Sequence, residues 1–227
     1  VTTEDLIIRL AGSAGVVRPI APPMRRFGVW AGCSVALTVL GVALIGVRPD
    51  SWIMVQRPGF LITAGVTMAT GLIAAGAALV LSVPGAEGSA AQRWSPVAIC
   101  AAWTTLLTMS VLSGGAGVAR MMALPFHTGC AVQIAALALL PGWMLFAMLR
   151  GAAPLRRSWS GGLATLGAVA LAATGTQFLC PIDDPAHLLV GHLVPVAAFA
   201  VAGALIGSRA LRTSPAAAGV WRSRGTL

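Results

Sequence analysis

Six long apolar stretches constrain this chain more than any other feature of its sequence. They run over about 27–47, 59–83, 96–113, 129–149, 161–179 and 188–208. A bilayer core of ~30 Å is crossed by ~20 apolar residues in a helix. In hydrocarbon every backbone N–H and C=O must find its partner inside the segment, which selects helix. Composition agrees, with 57% hydrophobic and 9% charged residues and a mean hydropathy of +0.88. A soluble domain of this size is far less apolar. The expected fold class is an all-α integral membrane protein, a six-transmembrane-helix bundle. The first stretch begins too late, and follows too many arginines, to be a cleaved signal peptide.

The net charge of +9 comes entirely from arginine. Twelve of the fifteen arginines fall on one side of the expected topology: Arg9, Arg18, Arg25, Arg26, Arg93, Arg150, Arg156, Arg157, Arg209, Arg212, Arg222 and Arg224. Arg48, Arg57 and Arg120 fall on the other. The positive-inside rule then places both termini in the cytoplasm. This divides the chain into a cytoplasmic leader over 1–26, a transmembrane domain over 27–208 and a basic cytoplasmic tail over 209–227. Topology and lipid headgroups account for the charge, so no direct nucleic-acid partner is expected.

In the leader, Thr2 can cap a helix, and Glu4 and Asp5 in its first turn suit the helix dipole. Leu6, Ile7, Leu10 and Ala14 recur at helical spacing and give one apolar face. The helix is expected to end near Gly15. The segment Arg18-Pro19-Ile20-Ala21-Pro22-Pro23 then reads as an extended, stiff tether. An amphipathic helix on such a tether can bind a partner protein, lie on the inner leaflet, or serve as a solvated leader.

The bodies of the spans hold no acidic or basic side chain. A proton relay or ion pathway normally needs one, which counts against a proton-coupled transporter. Gly28-x-x-x-Gly32 and Gly203-x-x-x-Gly207 are small-residue pairs of the kind that let helices approach. With 27 glycines present, they support no more than a compact bundle. No internal repeat is evident.

The four cysteines sort by depth. Cys33 and Cys100 lie near cytoplasmic ends and read as small buried hydrophobes. Cys130 opens the fourth span and Cys180 closes the fifth, both on the outer side. Spans joined by a short loop are expected to be antiparallel neighbours, so the two thiols share a depth in the oxidising compartment. A disulfide staple, a redox- or metal-responsive pair, and two unrelated thiols all remain open at this point.

The histidines join them. His127 lies one turn before Cys130, and His187 and His192 follow Cys180. Thiolate and imidazole together suit a soft or borderline ion such as Cu, Zn or Cd, so a transient metal is possible and no cofactor is required. Met121 and Met122 could add thioethers, though Met is ordinary membrane filler. Each histidine could equally be a polar interfacial residue. Asp183 and Asp184 precede the sixth span and are expected to cap it. No nucleophile–base pair accompanies this constellation, so no enzyme is expected. Two other classes stay in view. A membrane thiol–quinone oxidoreductase would usually carry a close Cys-x-x-Cys motif, which is missing; a haem protein would use His127, His187 and His192; and the lack of charge within the spans counts against a small-solute transporter.

These residues resemble the NrsF-type membrane anti-sigma factors, negative regulators of an extracytoplasmic-function sigma factor called sigma-F. The similarity covers nearly the whole chain. It includes Thr3-Glu4-Asp5-Leu6-Ile7, the run from Arg18 to Arg26, and Cys130 leading into Leu137-Ala138-Leu139-Leu140-Pro141. It continues through Leu149-Arg150-Gly151-Ala152-Ala153-Pro154, and is most specific from Gly161-Gly162-Leu163-Ala164 to Cys180-Pro181 and His187. One departure is Gly191, where the pattern carries a tryptophan or similar.

The resemblance implies six spans in a bacterial inner membrane and a sigma factor held by the N-terminal segment. It also implies two periplasmic cysteines needed for the stress response, at the positions of Cys130 and Cys180. In the implied mechanism Leu6, Ile7 and Leu10 bury themselves against the sigma factor. Metal or oxidative stress acts on the two cysteines and releases it.

Overall fold

Pro23 and Pro58 each sit at the first turn of a long helix, where a missing N–H costs nothing and a fixed φ suits the helix. The computed structural model describes residues 2–13, 20–83, 90–113, 128–152 and 154–211. The described elements are helical, with no strand among them: α1 (Thr3–Ser13), α2 (Pro23–Ile45), a short α3 (Ser51–Met54), α4 (Pro58–Val80), α5 (Ala90–Ser113), α6 (Thr128–Arg150), α7 (Arg157–Gln177), a short α8 (Pro185–His187), a π-helical turn (Leu188–Leu193) and α9 (Val194–Ala210).

Five helical stretches are long and apolar enough to cross a membrane: α2, α4, α5, α6 and the continuous Pro185–Ala210. The outer faces explain why a bilayer is required. Leu40, Leu44, Ile62, Leu106, Leu139, Val201 and Leu205 are all exposed, and a surface this apolar is stable only against lipid or a partner.

The sixth stretch, α7, is less hydrophobic because its place is the middle of the bundle. Fifteen of its 21 residues are buried, and it packs against α9, α4, α6 and α2. Lipid never has to solvate most of this helix, so Gly, Ala, Ser and Thr serve it better than Leu. Small residues let neighbouring backbones close in. A Cβ on Gly161 would lie 2.6 Å from the Gly203 carbonyl oxygen and 2.7 Å from the Gly207 Cα. On the opposite flank, a Cβ on Gly71 would lie 2.9 Å from the Leu171 nitrogen and 3.0 Å from the Gly167 oxygen.

Gly203-x-x-x-Gly207 is therefore a genuine contact stripe. Gly28-x-x-x-Gly32 is not, because a Cβ on either glycine would meet nothing within 4 Å. Both pairs match the same spacing, but only one faces a neighbour.

Polar ties fix the register. Thr174 Oγ1 donates to Thr67 Oγ1 at 2.9 Å and Gln177 Nε2 donates to the same oxygen at 3.0 Å, joining α7 to α4. Trp30 Nε1 donates to the Pro141 carbonyl at 2.9 Å and joins α2 to α6. Arg26, counted with the leader from sequence, belongs to α2 and is buried. Its guanidinium reaches the Ser82 hydroxyl and the Met148 carbonyl.

The short helix α1 begins with a reciprocal cap. The Asp5 N–H donates to Thr2 Oγ1 at 3.2 Å, and the Thr2 N–H donates to Asp5 Oδ2 at 3.3 Å. Leu6, Ile7, Ile8 and Leu10 are all exposed on it. The helix is described to Ser13; its expected end at Gly15, and Arg18 and Pro19 of the expected tether, lie outside the described residues.

Candidate functional site

The chain leaves α2 through Gly46, whose φ of 110° is open to glycine at little cost. The Gly46 N–H closes on the Val42 carbonyl at 3.0 Å and the backbone turns across the bundle. This brings Arg48 over the loop that follows α7. The Arg48 N–H donates to the Phe178 carbonyl at 2.9 Å. Its guanidinium donates to the Cys180 carbonyl at 2.7 Å and the Pro181 carbonyl at 3.3 Å. It also pairs with Asp50 at 2.7 Å and Asp183 at 2.8 Å. Its hydrogen bonds to the accepting carboxylates of Asp50 first, and then Asp183, raise the Arg48 pKa further above its ordinary value. The Arg48 side chain is 2% exposed. It is thus a buried clasp, not a free arginine at a headgroup surface.

The two aspartates divide their work. Asp184 is the N-cap of α8, its Oδ1 accepting from the Ala186 N–H at 2.8 Å. Asp183, expected from sequence to cap as well, instead binds Arg48. A buried guanidinium needs carboxylate partners, and Asp183 supplies one beside Asp50.

Held by that loop, Cys180 meets Cys130 at the start of α6. The Sγ atoms are 3.6 Å apart, and all four cysteines of the chain are free thiols. His187 Nε2 lies 3.2 Å from Cys180 Sγ and 3.6 Å from Cys130 Sγ. His192 stacks edge-on against His187, with ring centroids 5.5 Å apart. All four side chains are buried, and their candidate ligand atoms lie within 4.8 Å of one another. The Cys130 thiol points at Cys180 and holds its pKa below the usual thiol range.

Local sequence explains how both imidazoles reach one point. On a regular α-helix, residues five apart lie about 140° from each other. Between His187 and His192 the helix widens into a π turn, and the Val194 N–H reaches back to the Leu189 carbonyl. Pro195 provides the cause, since it has no N–H to offer the Gly191 carbonyl and its ring crowds that turn. Gly191 provides the room. A Cβ there would lie 3.0 Å from the His187 ring, so the absence of a side chain leaves His187 its place. Trp103 and Leu107 of α5 pack over Leu189 and Leu193 and close the site from the side.

His127, Met121 and Met122 lie outside the described residues. Cys33 and Cys100 do not join the site. Cys33 is exposed on α2, contrary to the expectation of burial, because it lies on the lipid face; Cys100 is half-buried. Sequence reasoning missed Arg48, which it used only as a topological charge. The one available signal was the local pair Arg48 and Asp50 beside Gly46.

A helical membrane bundle with a buried thiol–imidazole cluster at one end and an exposed amphipathic helix on its leader has the parts of a membrane-bound regulator. The family model NrsF, described as negative regulator of sigma F, matches residues 10–212. The chain belongs to this family of regulatory proteins, and its partner is a sigma factor. No curated protein and no solved structure gave a significant match.

Proposed function

We propose that this chain is a six-span anti-sigma factor of a bacterial inner membrane that holds an extracytoplasmic-function sigma factor through α1. It lets go when metal or oxidative stress reaches Cys130 and Cys180. The observation that carries this reading is the contact between the two thiols, 3.6 Å apart with His187 against both, in a loop clasped by Arg48. Arg48 follows directly from α2, and α2 begins where the leader ends. A change at the thiols therefore has a continuous covalent and hydrogen-bonded route to the leader.

The arginine bias supports an orientation with α1 in the cytoplasm and the thiols in the periplasm. Burial of Arg48 strengthens that bias, since it removes one of the three outer arginines from the headgroup count. On α1, Leu6, Ile7 and Leu10 offer an apolar face for a groove on the sigma factor. A near-complete switch needs the two states to differ by ~5 kcal/mol in their affinity for the signal, and thiolate–metal bonds reach that scale.

The test is a sigma-F-dependent reporter in cells carrying Cys130→Ser/Cys180→Ser. Repression without stress should persist, and induction by cadmium or by an oxidant should vanish. Induction equal to wild type would overturn the sensor reading. Full repression with lost induction would support it.

A further inference from the structure

We propose that Cys130, Cys180, His187 and His192 form one tetrahedral site for a divalent ion of the zinc and cadmium class. This deepens the sensor reading and rests on it for biological consequence only; the chemistry stands on the geometry.

Distances come first. Zn–S bonds of ~2.3 Å and Zn–N bonds of ~2.0–2.1 Å at tetrahedral angles set S···S near ~3.8 Å and S···N near ~3.6 Å. The observed Sγ···Sγ separation is 3.6 Å, and the His187 Nε2···Sγ separations are 3.2 and 3.6 Å. A disulfide would need the sulfurs at ~2.05 Å, much closer than the observed 3.6 Å.

His192 supplies the fourth argument in the count of ligands. Its ring is 1% exposed, and neither ring nitrogen has a hydrogen-bond partner among the described residues. A buried polar group without a partner is destabilising, and coordination removes that cost. The π turn, Pro195 and Gly191 all act to bring this ring and that of His187 to the two thiols.

Charge selects the ion. Two thiolates and two neutral imidazoles carry −2. In a buried site a net charge is expensive, so a +2 ion is favoured over a +1 ion. With two thiolates, two neutral imidazoles and a +2 ion, the loaded site ends neutral. Soft sulfur and borderline nitrogen in a four-point cage favour zinc or cadmium over oxygen-seeking calcium or magnesium. The ion can enter past the exposed Pro181 and Asp183 side of the loop.

The experiment uses the full-length chain in detergent, in a Cys33→Ser/Cys100→Ser background, with reduced thiols and Co2+ as the probe. One Co2+ per chain should bind, with the visible bands of tetrahedral cobalt and a near-ultraviolet thiolate charge-transfer band. Zn2+ or Cd2+ should displace it. Cys130→Ser/Cys180→Ser should abolish the charge-transfer band.

His192→Gln should keep that band but weaken binding by at least ~10-fold, the lower end of what even outer-shell changes cost. Unchanged helical circular dichroism will show that each variant is folded. No charge-transfer band in the reduced, folded parent would overturn the site. Equal Co2+ affinity and spectrum in His192→Gln would overturn the fourth ligand. Sigma-factor retention is measured on the same samples. Loss of the cobalt spectrum with metal-triggered release intact would sink the metal site alone. An intact spectrum without release would sink the sensor reading alone.

Discussion

The guanidinium of Arg48 meets both carboxylate oxygens of Asp183, at 2.9 and 2.8 Å, across 135 residues of sequence. This contact holds the end of α2 to the loop that presents Cys180. Arg48 suits the position because a planar fork can serve two carboxylates and two carbonyls at once. A lysine has one ammonium and could not.

Arg48→Met will loosen the Cys180 loop. The carbonyls of Cys180 and Pro181 lose their side-chain donor, at a cost of about 1–3 kcal/mol for buried acceptors. Expected results are a melting midpoint several degrees lower in detergent and faster alkylation of Cys180. Alkylation at the wild-type rate would show that the loop does not depend on the clasp.

The clasp also sets a pH dependence. The hydrogen bond from Arg48 holds Asp50 below the ordinary aspartate range. A carboxylate lowered in this way stabilises the fold above its unfolded value near ~4 and loses that contribution as pH falls through its folded value. The raised Arg48 value acts in the opposite sense, but only at alkaline pH beyond any practical range. Thermal stability should therefore be flat across neutral pH and fall below about pH 4. Arg48→Met should flatten that acid limb, as read from melting midpoints along a pH series.

Gly161→Ala will damage the bundle although alanine is the better helix former. Its Cβ would press on the backbone of α9 at Gly203 and Gly207, and overpacking of this kind costs about 1–3 kcal/mol. Gly28→Ala and Gly32→Ala meet open space and should leave the melting midpoint unchanged or slightly raised. Equal effects at all three positions would refute the packing assignment.

Leu6→Asp and Ile7→Asp will weaken retention of the sigma factor without unfolding the membrane domain. Both side chains are exposed, at 50% and 59%, so the bundle does not depend on them. Co-purification from cells should drop sharply while the melting midpoint stays put. Undiminished co-purification would move the sigma contact elsewhere.

Much of the architecture was legible because hydrocarbon imposes one simple rule on long segments. The stretches expected at about 59–83 and 129–149 are the helices Pro58–Val80 and Thr128–Arg150. The third helix starts at Ala90 rather than 96, with Pro96 inside it. The pairing of Cys130 with Cys180 was open from spacing, since depth alone cannot set the angle at which two helices face each other. His192 was a candidate ligand from sequence, but its meeting with the His187 ring depends on a π turn that residue spacing does not reveal.

By itself, the sequence determined which segments are helices, which end of the molecule collects the thiols and imidazoles, and that Thr2 starts a capped leader helix. These follow from hydropathy, chain order and local hydrogen bonding. Tertiary structure alone decided that α7 is the central helix, that Asp183 answers Arg48 instead of capping, and that one glycine pair packs while another does not. An apolar or small residue looks the same in sequence whether it faces lipid or a neighbouring helix. Only the packed bundle, with its close backbone approaches and its buried guanidinium, separates the two.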